Sequence, residues 1–434
     1  MGGATFKRQR NLRWRGDRYA GFCAAFVFLF FAAVGAVSAQ ESADENDASE
    51  SVDALFDETL APLENENENE PTGEEFPEGV RKGNLLNFVD RNQRTYAIDI
   101  LAAVDMVGEW DNEEPHTTGN EFVIREVELG FFADIDQWAQ GTVMMAAHNE
   151  GGEYVYELHE AYFNFPRFFV PNLSARAGSM FFDVGHLNST HRHDWHFTQA
   201  PVVHAELLDE EAASDTGLEL SYLMPWPFWQ ELTVGVFNGK TFGHSHVQGP
   251  IKNNPLYTAH LKQFIPFTHE WGTQFGFSYL RWHPTEEPHK VTHQSGLDVL
   301  VKWTGRNFKQ AQLLSEIWYR ETREKNRRRY DPPATPIETR VGGYVFAEFR
   351  FDAQWAAGYR YDLFTNPNYQ DVNGRRESRN GVEQHSIMLT YYPSEFSYFR
   401  LTGERETIIE KGENSYQFYL QADFIIGKHP PHKY

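Results

Sequence analysis

The chain has 434 residues, a formal net charge of −23, 15% aromatic residues and a mean hydropathy of −0.58. This acidic balance argues against nucleic-acid binding, which depends on Lys and Arg side chains that contact phosphates. Cys23 is the one cysteine in the sequence, which excludes a disulfide framework.

The N-terminus has the three parts of a secretory signal. Six basic residues precede an apolar run at 22–37, and small residues follow it in the tripeptide Val37-Ser38-Ala39. We predict a signal peptide at 1–39, cleaved after Ala39, with a retained membrane anchor as the alternative. Cleavage would remove Cys23 and leave no apolar run of eighteen residues, so we expect no transmembrane helix in the mature chain.

Residues 40–90 form the next segment. Acidic residues are frequent between 41 and 80, where the sequence has no Lys or Arg. A segment with such like-charge density and few aromatic residues cannot bury enough apolar surface to order itself. We predict an acidic, disordered periplasmic leader at 40–90.

From residue 91 to 434 the sequence predicts a series of amphipathic strands. In the last one, apolar residues recur at every second position from Tyr416 to Ile426, with mostly polar residues between them. A period of two indicates a strand with one apolar and one polar face, and about eleven residues suffice to cross a bilayer at a tilt. We count about sixteen such strands, an even number, as expected for a bacterial transmembrane β-barrel.

The connections between these strands alternate in length. The short ones include 136–139, 166–171, 225–229 and 266–270, whereas the long polar ones include 184–215, 240–255, 322–338 and 365–381. With the N-terminus on the periplasmic side, the long connections would lie outside the cell. The fold predicted for residues 91–434 is therefore an all-β, antiparallel transmembrane barrel with a constriction-type loop at about 184–215 that folds toward the mouth.

The predicted constriction loop and its flank contain five of the eighteen histidines. Neutral imidazoles at this density suit zinc, with aspartate as a further ligand, and we predict a metal site formed by His191, His193, His196 and Asp194. Two alternatives are hydrogen bonding across the pore and a gate that responds to imidazole titration. The residues predicted to line the constriction or bind solute are Asp183, His186, Arg192 and His204.

The stretch Ala177-Gly-Ser-Met-Phe-Phe-Asp-Val-Gly-His-Leu-Asn188, together with the strand pattern, resembles the porin superfamily, in particular the phosphate-selective porin-type barrels. This resemblance implies passive diffusion of small solutes through a water-filled pore, often in a trimer. The run 185–193 and the tail 427–434 also resemble a His-rich branch of barrel proteins associated with zinc. The acidic body departs from the family pattern and does not favour phosphate selectivity.

We therefore expect an outer-membrane porin for small hydrophilic solutes or ions, without enzymatic activity. The rival hypothesis is a zinc-binding or zinc-uptake barrel that uses the loop histidines, with zinc as the one cofactor to consider. A third hypothesis, an outer-membrane enzyme, has no nucleophile–base arrangement in its support. The expected partners are outer-membrane lipid, the barrel assembly machinery and other copies of the chain in a homotrimer, and nucleic acid is not among them.

Overall fold

A computed structural model describes residues 86–89, 95–112, 120–239, 254–284, 289–324, 338–366 and 379–427. The chain divides into two compact units, Met1–Pro71 and Thr72–Tyr434. The first unit lies outside the described residues, as do the predicted signal peptide and most of the predicted leader. The account below concerns the second unit.

The described residues form seventeen β-strands and two short helical segments. The strands are β1 Leu86–Val89, β2 Thr95–Asp111, β3 Phe122–Asp134, β4 Gln140–Glu150, β5 Glu153–Phe165, β6 Leu173–Phe181, β7 Ser214–Leu223, β8 Gln230–Phe237, β9 Leu256–Pro266, β10 Trp271–Trp282, β11 Lys290–Thr304, β12 Gln310–Glu324, β13 Glu338–Arg350, β14 Trp355–Asn366, β15 Arg379–Ser394, β16 Ser397–Ile408 and β17 Glu413–Gly427. The helical segments are a 3₁₀ turn at Arg192–Asp194 and the helix α1 at Val202–Leu207.

Sixteen of these strands close into a barrel. Each strand from β2 to β17 pairs antiparallel with the next along the chain, and β17 pairs with β2 to complete the ring. The predicted antiparallel barrel is thus confirmed. The additional strand β1 pairs with the start of β2, so the prediction of a leader without structure is wrong for Leu86–Val89.

Alternation along each strand separates the two faces of the wall. On β15, Ile387 and Leu389 are 64% and 42% exposed, whereas Ser386, Met388 and Thr390 are buried. In a closed barrel successive side chains point outward and inward in turn, which is the physical origin of the period of two in the sequence. The outside is therefore largely apolar, and many inward-facing residues are polar. No helix of the described residues is long and apolar enough to cross a membrane.

One end of the barrel has short turns only. These connections are 135–139, 166–172, 224–229, 267–270, 305–309, 351–354 and 395–396. Two of them have an aspartate as their second residue, Asp136 and Asp352, and its carboxylate accepts hydrogen bonds from the backbone N–H groups two and three residues later. The predicted sorting of connections by length is confirmed at this end, while much of the long loops at the other end lies outside the described residues.

The segment 182–213, which joins β6 to β7, folds into the barrel, and we call it the inner loop. It differs by two residues from the predicted 184–215, because β6 ends at Phe181 and β7 begins at Ser214. The inner loop enters the lumen, rather than only approaching the mouth as expected. Its apolar residues, among them Trp195, Phe197 and Val203, form one buried cluster with inward side chains of β8 to β15.

Close approach of backbones in the wall gives a test of the strand register. A Cβ atom added to Gly217 on β7 would meet the Val236 carbonyl and would stand 2.7 Å from Phe237 Cα on β8. One added to Gly403 on β16 would meet its nearest neighbour, the Ile387 side chain, at 3.7 Å. We expect Gly217→Ala to lower the free energy of unfolding by about 1–3 kcal/mol, since backbone atoms cannot yield without breaking the ladder.

The free energy of unfolding of both variants is measured by urea titration. The control Gly403→Ala should keep the parent's value, because its added methyl group would lie at an ordinary contact distance from Ile387. Equal stability of the two variants would contradict the register of β7 against β8.

Candidate functional site

Wall arginines bind the backbone carbonyl groups of the inner loop. Irregular backbone inside a closed barrel needs hydrogen-bond partners other than bulk water, and long side chains of the wall provide them. Arg400 donates to the carbonyl of Trp195 at 2.9 Å, and Arg360 donates to that of Gln199 at 2.6 Å. The remaining bonds of this kind run from Arg125 to the Thr198 carbonyl at 2.9 Å and from Arg320 to the Leu207 carbonyl.

Wall carboxylates bind the backbone N–H groups of the same loop. Glu316 on β12 is fully buried and accepts hydrogen bonds from the N–H groups of His186 and Leu187 at 3.2 and 2.8 Å. Asp362 on β14 accepts one from the N–H of Val202, at the start of α1, at 3.0 Å. The loop is therefore fixed from several sides of the barrel.

The inner loop occupies part of the lumen, and inward polar side chains of the wall are buried beside it. Inward polar residues on β10 and on the three consecutive strands β15 to β17 are 0% exposed, namely Ser278, Ser386, Thr402 and Gln421. Side chains in such positions of an open aqueous channel would contact water. The inner loop thus forms a packed polar interior with these strands.

A vestibule lies beside the inner loop, at the end of the barrel that has the long connections. It is a cavity of about 1050 Å³, and strand ends from several parts of the ring line it. Arg192 of the inner loop contributes to its floor, with Glu109, Arg320 and Glu404 among the charged residues of its wall. The vestibule can therefore admit small hydrophilic molecules up to the level of the loop.

A second feature is a group of imidazoles and carboxylates between the inner loop and strands β3 to β5, which we call the histidine–glutamate cluster. Its members are Glu126, Glu128, His148, His159, Glu160, His191, His193 and Glu211. Two sets of four could each hold a metal ion, since their ligand atoms lie within 4.8 Å of one another: Glu126 with His148, His159 and Glu211, and Glu128 with His159, His191 and Glu211.

Strand geometry explains why the wall residues of the cluster meet. Glu126 and Glu128 are two positions apart on β3 and both face inward, and Glu126 lies opposite His148 on β4. The pairing of β4 with β5 shifts between Met144 and Met145, where a bulge makes the register pass from Glu160 to Leu158 and skip His159. A bulge can re-aim a side chain, and here His159 and its neighbour Glu160 are both buried inside the barrel.

The loop histidines fall into two electrostatic classes. Burial alone would lower the pKa of His191 and His193, but nearby carboxylates outweigh it, raising the pKa of His191 well above 6.5 and that of His193 to about 9. Burial lowers the pKa of His186 and of His204 to about 4. The pKa values of His186, His193 and His204 lie outside the range from about pH 5 to 8, so these three imidazoles do not support the gate that responds to imidazole titration.

The residues predicted as a metal site separate in space. His191 and His193 both contact Glu128 in the cluster, and Asp194 Oδ1 lies 3.6 Å from His193 Nε2. His196 lies elsewhere, with Nδ1 3.2 Å from Glu348 and a side chain that is 43% exposed. The structure therefore brings His191 and His193 together and leaves His196 out.

The residues predicted to line a constriction also have different environments. Asp183 is buried 2.8 Å from the Lys262 ammonium, and His204 bonds the Asp209 carbonyl at 2.9 Å. The backbone N–H of His186 donates a hydrogen bond to Glu316. Arg192 is the member that lines the vestibule.

Sequence reasoning missed the wall residues of the cluster. Glu126, Glu128 and Glu160 are absent from the site residues predicted from the sequence. The spacing of Glu126 and Glu128 was visible in the sequence, but the register that faces them with His148 and His159 was not.

Comparison with known proteins gives the fold a context. No family model matches the chain. An uncharacterised protein of Aquifex aeolicus is 26% identical over 377 residues, which cover 80% of this chain and 78% of that one.

Several solved outer-membrane proteins have a similar structure. The outer membrane channel DcaP of Acinetobacter baumannii has a TM-score of 0.52 at 11% identity, covering 79% of this chain and all of its own. An anion-selective porin from Comamonas acidovorans has a TM-score of 0.51 at 8% identity over 76% of this chain and all of its own. OmpT of Vibrio cholerae, described in a trimer form, has a TM-score of 0.50 at 10% identity, covering 76% and 99%.

At these identities the likeness concerns the fold, and it agrees with the ring of sixteen strands described above. The chain therefore has the fold of a porin-like, sixteen-stranded antiparallel β-barrel.

Proposed function

We propose that the protein is an outer-membrane channel for small hydrophilic solutes or ions, in which the inner loop sets a narrow passage. The observation that carries this proposal is a loop bound inside the lumen of a barrel whose outer surface is apolar. The vestibule would collect solutes, and the loop would restrict which of them pass.

The outer surface supports a position in a bilayer. Mid-strand residues that face outward include Leu297, Ile317 and Ile387, each more than half exposed. Exposed aromatic residues lie at the end with the short turns, for example Trp138, Trp226, Phe267 and Phe308. An apolar band with aromatic residues at its border matches the hydrocarbon core and interface of a membrane.

Export and assembly follow from the same proposal. Residues 1–39 would be the cleaved signal peptide, and the acidic segment before β1 would remain in the periplasm. Lipid and the barrel assembly machinery would be partners. A homotrimer is proposed by analogy with the trimer form of OmpT, and native mass spectrometry of the detergent-solubilised protein would measure it.

The proposed role is transport without catalysis. DcaP and the Comamonas protein are described as a channel and a porin, and this chain shares their fold. Zinc uptake has less support than diffusion, because the residues predicted for that site do not converge on one point.

Arg360 gives a direct test of the loop as the restriction. Its guanidinium is fully buried, binds the Gln199 carbonyl and pairs with Asp362 at 2.7 Å. We expect Arg360→Met to lower the free energy of unfolding by about 3–5 kcal/mol, because Asp362 would remain buried without its cation. The loosened loop should raise single-channel conductance in planar bilayers several-fold.

The control is Lys411→Met, which removes an exposed ion pair with Glu413 at 3.6 Å. Such pairs contribute less than about 1 kcal/mol, so conductance and stability should stay at the parent values. A folded Arg360→Met protein with unchanged conductance would contradict the role of the loop.

A matched pair of isoleucines tests the position in a membrane. Ile387 lies at the middle of β15 and faces outward, whereas Ile409 is exposed in the connection after β16. Ile387→Lys should destabilise the barrel folded in lipid vesicles by about 2–4 kcal/mol, because it places a charge near the bilayer midplane. The free energy of unfolding is measured by a denaturant titration.

Ile409→Lys should cost about 1 kcal/mol or less in the same titration, since its position lies near the interface. Similar costs for both variants would argue against a bilayer around the mid-strand belt.

A further inference from the structure

We propose that the histidine–glutamate cluster binds one divalent transition-metal ion of the zinc type, with Glu128 and His159 of the wall and His191 and Glu211 of the inner loop as its ligands. This site differs from the set predicted from the sequence. The inference goes beyond the channel function and does not rest on it.

The ligand atoms have a spacing that fits a shared ion. His159 Nδ1 and His191 Nδ1 lie 3.1 and 3.0 Å from Glu128 Oε1, and His159 Nδ1 lies 3.4 Å from Glu211 Oε1. A tetrahedral ion with bonds of about 2.0–2.2 Å holds its ligand atoms about 3.3–3.6 Å apart. Small movements of the side chains would therefore complete the coordination.

Each of three ligands has an outer partner that orients it. The second nitrogen of His191 lies 3.1 Å from Glu160, and the second oxygen of Glu128 is hydrogen-bonded to His193. His159 Nε2 lies 2.7 Å from His148 Nε2. Metal-binding imidazoles and carboxylates usually have such outer hydrogen bonds, which fix the ring orientation and the tautomer.

Glu126 adds a buried carboxyl group, without hydrogen bonds from the described part of the chain, to the edge of the cluster. Its side chain is 3% exposed, and neither carboxylate oxygen has a hydrogen-bond partner among the described residues. The nearest nitrogen atoms of basic side chains are Arg192 Nε at 3.9 Å and His148 Nδ1 at 4.0 Å. Because Glu126 belongs to the neighbouring set of four with His159 and Glu211, a bound cation would also lie close to its carboxyl group.

The donor set selects the class of ion. Two imidazole nitrogens and two carboxylate oxygens suit zinc and similar divalent transition metals. Calcium and magnesium prefer sites made of oxygen ligands alone, so they are expected to bind weakly here.

The position of the ligands gives the ion a mechanical role. Glu128 and His159 come from the wall, and His191 and Glu211 come from opposite parts of the inner loop. One ion bound to all four would cross-link the loop to strands β3 and β5. Metal binding would then stabilise the state with the loop in the lumen over any state in which the loop leaves it.

Zinc titration of the full-length barrel, purified from membranes and stripped with a chelator, tests this proposal. Isothermal titration calorimetry should show one zinc ion per barrel, and His191→Ala or Glu211→Gln should weaken binding at least 100-fold. The matched control is His196→Ala, which removes an imidazole from the same loop outside the cluster and should leave the affinity unchanged. Folding of each variant is checked by heat-modifiable migration on a gel.

Absence of zinc binding to the wild-type barrel would overturn the proposal, as would an equal loss of affinity in His196→Ala. If the variants do not fold, the visible absorption spectrum of the stripped wild-type protein with added cobalt tests the proposal instead. Intense visible absorption is the expected sign of a four-coordinate site with nitrogen and oxygen ligands, and its absence would reject the site. Conductance of the same sample, measured separately, distinguishes this failure from failure of the channel proposal.

Discussion

The structure depends on one constraint: the irregular backbone of the inner loop must find hydrogen-bond partners inside a closed barrel. Buried N–H and C=O groups without partners would cost far more than the net gain from a typical contact. Arg360 and Arg400 satisfy carbonyls, and Glu316 satisfies two N–H groups, while each remains almost fully buried. The polar inner wall, which water would solvate in an open channel, thereby becomes the binding surface for the loop.

Three kinds of interaction share the task of holding the loop. Apolar residues such as Trp195 pack against strands β8 to β15, and charged side chains bind the loop backbone. On the side of β3 to β5, the histidine–glutamate cluster faces the loop with imidazoles and carboxylates. Because these attachments come from many strands of the ring, complete release of the loop requires more than one of them to break, whereas loss of one attachment loosens it. A channel built this way would pass solutes slowly and selectively rather than as a wide pore.

The alternation of apolar and polar residues was strong enough to predict the barrel. Phe418 and Leu420, for example, occupy alternate positions of β17 and both face outward. The alternation also located the inner loop within two residues. The partners of His191 and His193 could not be found in this way. The direction in which Glu128 and His159 point depends on the strand register and on a bulge in β5. His196 was misjudged for a related reason: in irregular backbone, neighbouring imidazoles need not point to one place.

Accessibility of the lumen to a charged thiol reagent tests the central claim most directly. Cysteines are placed singly at Ser386, which is fully buried at the level of the loop, and at Asn149, which lines the vestibule, in a chain with Cys23 replaced by serine. The account predicts rapid labelling of Asn149→Cys and strong protection of Ser386→Cys in the folded barrel. Equally rapid labelling at both positions would show an open aqueous lumen and would contradict the account.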